Sequence, residues 1–188
     1  MIPNRPRLRA VRPGAQLGMS LIEVLVAVLI MAIGLLGIAA MQAVALRNGQ
    51  SSLERTQAVI QSYAILDVIR ANRANAMAGY YNTAGSSPQC AAATGSGSEN
   101  AGQALARADV NAWLASLKSS MVGPANAATD ASTCGAIRCL SNTIDGVTCT
   151  ITVQWDDSRG SGVAPDDDDA EASNEGSSKR QVVTVAAI

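Results

Sequence analysis

From Leu21 to Leu46 the chain carries one charged side chain, Glu23, in a run of Val, Leu, Ile, Ala, Met and Gly interrupted by a single glutamine. A helix that is apolar on every face needs lipid or the centre of a large protein around it, and 188 residues do not supply the second. Residues 24–45 make 22 helical positions, about 33 Å at 1.5 Å each, enough for a hydrocarbon core of about 30 Å. Ahead of the run stand Arg5, Arg7, Arg9 and Arg12 with Pro3, Pro6 and Pro13 and no acid, a composition that neither packs a core nor sustains a helix. Those arginines are expected to stay cytoplasmic, which places everything after Arg47 across the membrane.

Composition then excludes several functions. The formal charge of −1 hides a leader at +4 and a remainder at −5, which disfavours direct, non-specific nucleic-acid binding. Histidine and phenylalanine are absent, and the aromatics are Tyr63, Tyr80, Tyr81, Trp113 and Trp155. Histidine triads, histidine zinc sites and base-stacking platforms are thereby removed, and no phosphate loop, dinucleotide fingerprint or nucleophile elbow occurs. No metal or cofactor is expected. The run Asp166 to Asp169 lacks the alternation and distal glutamate of a calcium loop and reads as a solvated loop.

Two processing points are open: a secretory cut behind Gly37-Ile38-Ala39-Ala40, or a cut before the apolar run, where the leader ends at Gly18. The string Gly18-Met19-Ser20-Leu21-Ile22-Glu23, followed by unbroken apolar sequence, resembles the class III signal of type IV pilins and of the related type II secretion pseudopilins. The resemblance implies that prepilin peptidase cuts between Gly18 and Met19 and methylates the new amino group of Met19, where the family often has phenylalanine. It also implies an α+β pilin fold, in which a long N-terminal helix, the membrane and fibre spine, packs on a small antiparallel sheet with an extra short helix. In the head, Asp109-Val-Asn-Ala-Trp113-Leu-Ala-Ser-Leu117 and Cys149-Thr-Ile-Thr-Val-Gln-Trp155-Asp156-Asp157 resemble PilV-type minor pilins. Implied partners are prepilin peptidase, other major and minor pilins, the inner-membrane assembly platform and the lipid bilayer. The implied location is the inner membrane with a periplasmic head, then a fibre or its tip. A minor pseudopilin is the alternative, and a single-pass membrane-anchored enzyme a remoter one.

A carboxylate inside a membrane segment costs several kcal/mol unless paired, about 3 on insertion scales. No basic side chain lies between Met19 and Leu46, so the nearest cation for Glu23 is the amino group that cleavage creates at Met19. By the resemblance, Glu23 of an incoming subunit pairs with the mature N-terminus of its neighbour; a glutamate snorkelling to the headgroups is the plainer reading.

The expected organisation is leader 1–18, membrane half-helix 19–45, amphipathic half-helix 46–78 and head 79–188. Leu46, Leu53, Ile60, Tyr63, Leu66, Ile69 and Met77 keep helical spacing, with a break near Gly49 as the competing possibility. Residues 79–102 read as an irregular connection outside the core, 103–121 as an amphipathic helix bearing Trp113, and 181–188 as a strand. Residues 137–144 and 147–155 form a hairpin if Asp145-Gly146 is a two-residue turn. That register puts Cys149 opposite Asn142 and Cys139 opposite Thr152, on different faces. Two disulfides are expected on the oxidising side, with Cys134 to Cys139 and Cys90 to Cys149 the chosen pairing and a β-bulge able to overturn it.

Overall fold

The computed structural model describes residues 18, 20–83, 87–142, 146–158 and 178–188. Two compact units divide the chain, residues 1–43 and 44–188. Helix α1 (Leu21–Ala71) begins in the first and ends in the second. In unit one every described side chain is exposed, Leu21, Leu25, Ile30 and Leu36 by 60% or more, and this is the helix long and apolar enough to cross a membrane. A Cβ at Gly34 or Gly37 would meet nothing within 4 Å. No contact among the described residues requires either glycine.

In unit two α1 runs through Gly49 without a break and stops instead at Asn72, whose φ of −115° and ψ of 42° leave the helical region. A short helix α2 (Arg73–Met77) follows and ends at Gly79, with φ 73°. Helix α1 buries Glu54, Ala58, Ser62, Ile65, Leu66 and Ile69, a stripe at four- and three-residue spacing. The expected stripe is corrected in part: Leu46, Leu53, Ile60, Tyr63 and Met77 are all more than half exposed. On the inward face the Ser62 hydroxyl donates back to Ala58 O at 2.8 Å.

Helix α3 (Ala101–Val122) starts at a capping box, in which Asn100 accepts from Gln103 N at 2.9 Å and Gln103 Oε1 accepts from Asn100 N at 3.0 Å. It turns Ala106, Trp113, Leu114, Leu117 and Met121 inward. These join Ile65, Leu66, Ile69, Ile137, Ile151 and Val153 in one core, each large aliphatic contributing about 1.5–3 kcal/mol on burial. Tyr81 is also fully buried, which corrects the expectation that 79–102 stays outside the core.

The sheet is antiparallel with order β1 (Cys134–Asn142), β2 (Gly146–Asp156), β3 (Lys179–Ala187). Together, the long helix, the extra helix α3 and this small sheet make a pilin-like α+β arrangement. Val147, Cys149, Ile151, Val153 and Trp155 face the core as their alternation predicts. The register differs from the expected one. Asn142 pairs with Gly146, so three residues, not two, separate the strands, and Asp145 lies outside the described residues. A three-residue shift is odd, so it exchanges faces and sets Cys139 directly opposite Cys149.

The disulfides follow that register: Cys139 bonds Cys149 and Cys90 bonds Cys134, with Cα separations of 4.0 and 4.1 Å. The expected pairing of Cys134 with Cys139 and Cys90 with Cys149 is therefore wrong. Gly135 exchanges both backbone hydrogen bonds with Gln89 on its outer side, so odd-numbered β1 residues point away from β2. Cys139 and Cys149 thus form a non-hydrogen-bonded pair, the closer of the two antiparallel pairings.

Gly135 also seats Trp113: a Cβ there would lie 2.5 Å from Cη2 of the indole, whose Nε1 donates to Gln61 O at 2.9 Å. Gly135→Ala is expected to cost about 1–3 kcal/mol by displacing the ring. Thermal unfolding of the full chain in detergent checks this, and an unchanged midpoint would show that the indole moves freely.

Candidate functional site

The processing signal and the start of α1 form the candidate site. Gly18 is exposed, and a Cβ on it would touch nothing within 4 Å. Met19 lies outside the described residues, so the expected scissile bond is described on its Gly18 side alone. Ser20 precedes the helix, and its carbonyl accepts from Glu23 N at 3.0 Å and Val24 N at 3.3 Å. Glu23 lies in the first turn of α1. Ser20-Leu21-Ile22-Glu23 thus has the Ser-x-x-Glu order of a helix start, and an acid at this turn complements the positive end of the helix dipole. This helix-start order was legible in the spacing, and the dipole is a second reason for an acid at position 23, beside the membrane argument. Glu23 is exposed.

Four arrangements in the head account for the residues singled out there. Trp155-Asp156-Asp157 is a clasp at the end of β2. Asp157, 2% exposed, accepts from Ser51 Oγ of α1 at 2.8 Å and faces Arg180 Nε of β3 at 3.6 Å, while its N–H donates to Ser178 O at 2.7 Å. Asp109 of α3 accepts from the Tyr81 hydroxyl at 2.6 Å. Burial, reinforced by that hydrogen bond and the Asp109 charge, pushes the phenol far above its usual range. Burial would raise the Asp130 carboxyl, but hydrogen bonds from Ser132 and Thr133 outweigh it and hold the group below the usual carboxylate range. Lys118, 8% exposed, ties two loops together by donating to the carbonyls of Cys90 and Asp130.

A cavity of about 360 Å³ lies between α3 and the segment after α2, lined by Tyr80, Gln89, Glu99, Arg107, Asn111 and Trp113 among others. Its polar groups already hold the loop: Arg107 pairs with Glu99 at 3.0 Å, and Asn111 bonds both backbone groups of Ala93. A second cavity of about 200 Å³ is lined by Glu54, Thr133 and Trp155; Thr133 Oγ1 and Trp155 Nε1 have no hydrogen-bond partner among the described residues, and the space is large enough for water. The burial of Glu54 was not legible in the sequence, because its neighbours in α1 are polar. Among the described residues no three acidic or cysteine side chains gather as metal ligands. The aspartates 166–169 lie outside the described residues.

Residues 14–39 match the prokaryotic N-terminal methylation motif. No curated protein and no solved structure matches the chain. The motif covers Gly18, Met19 and Glu23 together with the first part of α1.

A raised tyrosine pKa stabilises the fold while the phenol is protonated. The contribution of Tyr81 is therefore complete below pH 10 and is lost as the pH climbs past it, by up to about 1.4 kcal/mol per pH unit. Tyr81→Phe is expected to flatten this alkaline loss in denaturant titrations of the full chain, and an unchanged slope would assign the loss to other groups.

Proposed function

We propose that the chain is a type IV minor pilin of the PilV kind, a structural subunit that primes or joins a pilus after removal of residues 1–18. The observation that carries this reading is the methylation motif laid over an apolar helix with an acid in its first turn. The head adds the Trp-Asp-Asp clasp and two disulfides, which suit a small domain in an oxidising compartment. Prepilin peptidase opens the bond after Gly18, and the exposed position of Gly18 suits that access. The new Met19 amino group becomes the cation for Glu23 of an incoming subunit. Each subunit thus presents one charge and receives the other, and pairing removes the cost of an isolated carboxylate in lipid. Other pilins, the assembly platform and the bilayer are the partners in this scheme, with the head periplasmic until assembly. The chain itself performs no catalysis.

The mass and N-terminal sequence of the protein from membranes with and without active prepilin peptidase test the reading. The expected product begins at N-methylated Met19 in the first sample and retains residues 1–18 in the second; a start after Ala40, or an intact leader in both, overturns it. Glu23→Ala is expected to leave insertion and cleavage intact while fibre incorporation falls at least tenfold, and unchanged incorporation would remove the pairing. Recovery of the chain in surface pili, as against dependence of exoprotein export on it, separates the pilus from the secretion pseudopilus.

A further inference from the structure

The two disulfides lie in different surroundings. Cys139 and Cys149, 4% and 0% exposed, belong to the core that Ile137 and Ile151 share. Cys134 is 5% exposed, but its partner Cys90 is half-buried and lines two clefts. One, of about 670 Å³, is also lined by Pro88, Asp130 and Cys134; the other, of about 480 Å³, by Ala92 and Lys118. Of the four cysteines, Cys90 is the one a reagent reaches from solvent.

Charge separates the two ends of that reachable bond. The Lys118 ammonium donates to Cys90 O, whereas the Asp130 carboxylate accepts from the N–H of Thr133, the residue before Cys134, at 3.2 Å. A cation beside Cys90 and an anion beside Cys134 favour the thiolate at Cys90 once the bond is open. The bond also anchors the segment that closes the outer edge of β1. Gly135 exchanges two backbone bonds with Gln89 at 2.8 and 2.9 Å, and Ile137 O accepts from Thr83 N at 3.0 Å while Ile137 N donates to Thr83 Oγ1 at 3.1 Å. Cys139 bonds the Asn82 side-chain amide through both its N–H and its C=O. Cys90 follows Gln89 directly, so its bond to Cys134 fixes the end of this cover.

We propose that Cys90 is a thiol-exchange site, through which external thiols open the Cys90–Cys134 bond and external disulfides close it, while Cys139–Cys149 stays locked in the core. In the opening direction an external thiolate attacks Cys90 Sγ and the chain's S–S bond breaks. Its electron pair leaves on Cys134 Sγ, which takes up a proton, and a mixed disulfide remains on Cys90. A second external thiolate attacks the external sulfur of that mixed disulfide and releases the Cys90 thiolate. Two external thiols are thereby oxidised to one disulfide, and the chain gains two thiols. Closing runs the same steps backwards: the Cys90 thiolate attacks an external disulfide, and Cys134 then displaces the external thiolate from Cys90. Opening leaves the cover of β1 attached by its hydrogen bonds, so exchange at Cys90 controls how firmly that edge is held.

The test treats the full chain, folded in detergent micelles, with dithiothreitol, alkylates the thiols at intervals and locates them by peptide mass. Cys90 and Cys134 are expected to be labelled at least tenfold faster than Cys139 and Cys149. Equal rates for the two pairs, or earlier labelling of Cys139 and Cys149, overturn the proposal. The entry sulfur is tested with oxidised glutathione: Cys134→Ser, which leaves Cys90 free, should form the mixed disulfide at least tenfold faster than Cys90→Ser, which leaves Cys134 free. Equal or reversed rates in variants that keep the wild-type circular dichroism spectrum remove Cys90 from that role. After selective opening, amide hydrogen exchange at Gly135 and Ile137 is expected to speed up at least tenfold while that at Ile151 is unchanged. Unchanged exchange at Gly135 and Ile137 would show that the hydrogen bonds hold the cover without the disulfide, and would overturn the control of the edge.

Discussion

The antiparallel register of β1 against β2 is the constraint on which the head depends. Once Cys139 lies opposite Cys149, even-numbered β2 residues bond β1 and odd-numbered ones bond β3. The faces then follow: Val147, Cys149, Ile151, Val153 and Trp155 go to the core, and Thr148, Thr150 and Thr152 to the other side. The same phase sends the outer groups of β1 to the segment that closes it. A slip by one residue would put threonines against Ile65 and Leu66 and strand Trp155 in solvent. Few other contacts in so small a domain could compensate for that loss.

Around this sheet, polar side chains perform joining work that apolar burial alone does not. Asp157 links β2 to α1 and β3, Asp109 joins α3 to Tyr81, Lys118 holds two loop carbonyls, and Asn82 lies along β1. Each is a long-range connection satisfied in a partly or fully buried place, where an unmade hydrogen bond costs about 1–3 kcal/mol. Uniqueness of the packing therefore rests on these polar joints as much as on volume. With no phenylalanine and two tryptophans, the core has few large shapes with which to specify itself.

The elements with strong periodicity were legible in advance. The apolar run predicts the first part of α1, Val110 to Met121 predict the inward face of α3, and the Val-Cys-Ile-Val-Trp alternation predicts β2. What was hidden has physical reasons. The inward stripe of α1 includes Ala58 and Ser62, which carry little hydrophobic signal, so hydrophobicity pointed instead to Leu53 and Ile60. Asp145-Gly146 suggested a tight turn, but loop length is set by which cross-strand pairs gain most, and one added residue reversed the cysteine faces. Tyr81 sits in a stretch of small polar residues and is buried through its hydroxyl bond to Asp109, a contact that no local pattern signals. At the N-terminus, the methylation motif over residues 14–39 was legible because the pattern there is read by spacing alone.

Cys90 lies one residue beyond Gln89, the residue that closes the β1 edge, and its bond to Cys134 fastens that covering segment to the first residue of the strand it covers. The bond spans 44 positions, so it withdraws a large loop from the freedom of the unfolded chain. While its thiols remain reduced, the chain holds the cover by hydrogen bonds alone, and the β1 edge is poorly secured. Oxidation thus secures the cover of the β1 edge, which ties the closing of that edge to the redox state of the surroundings.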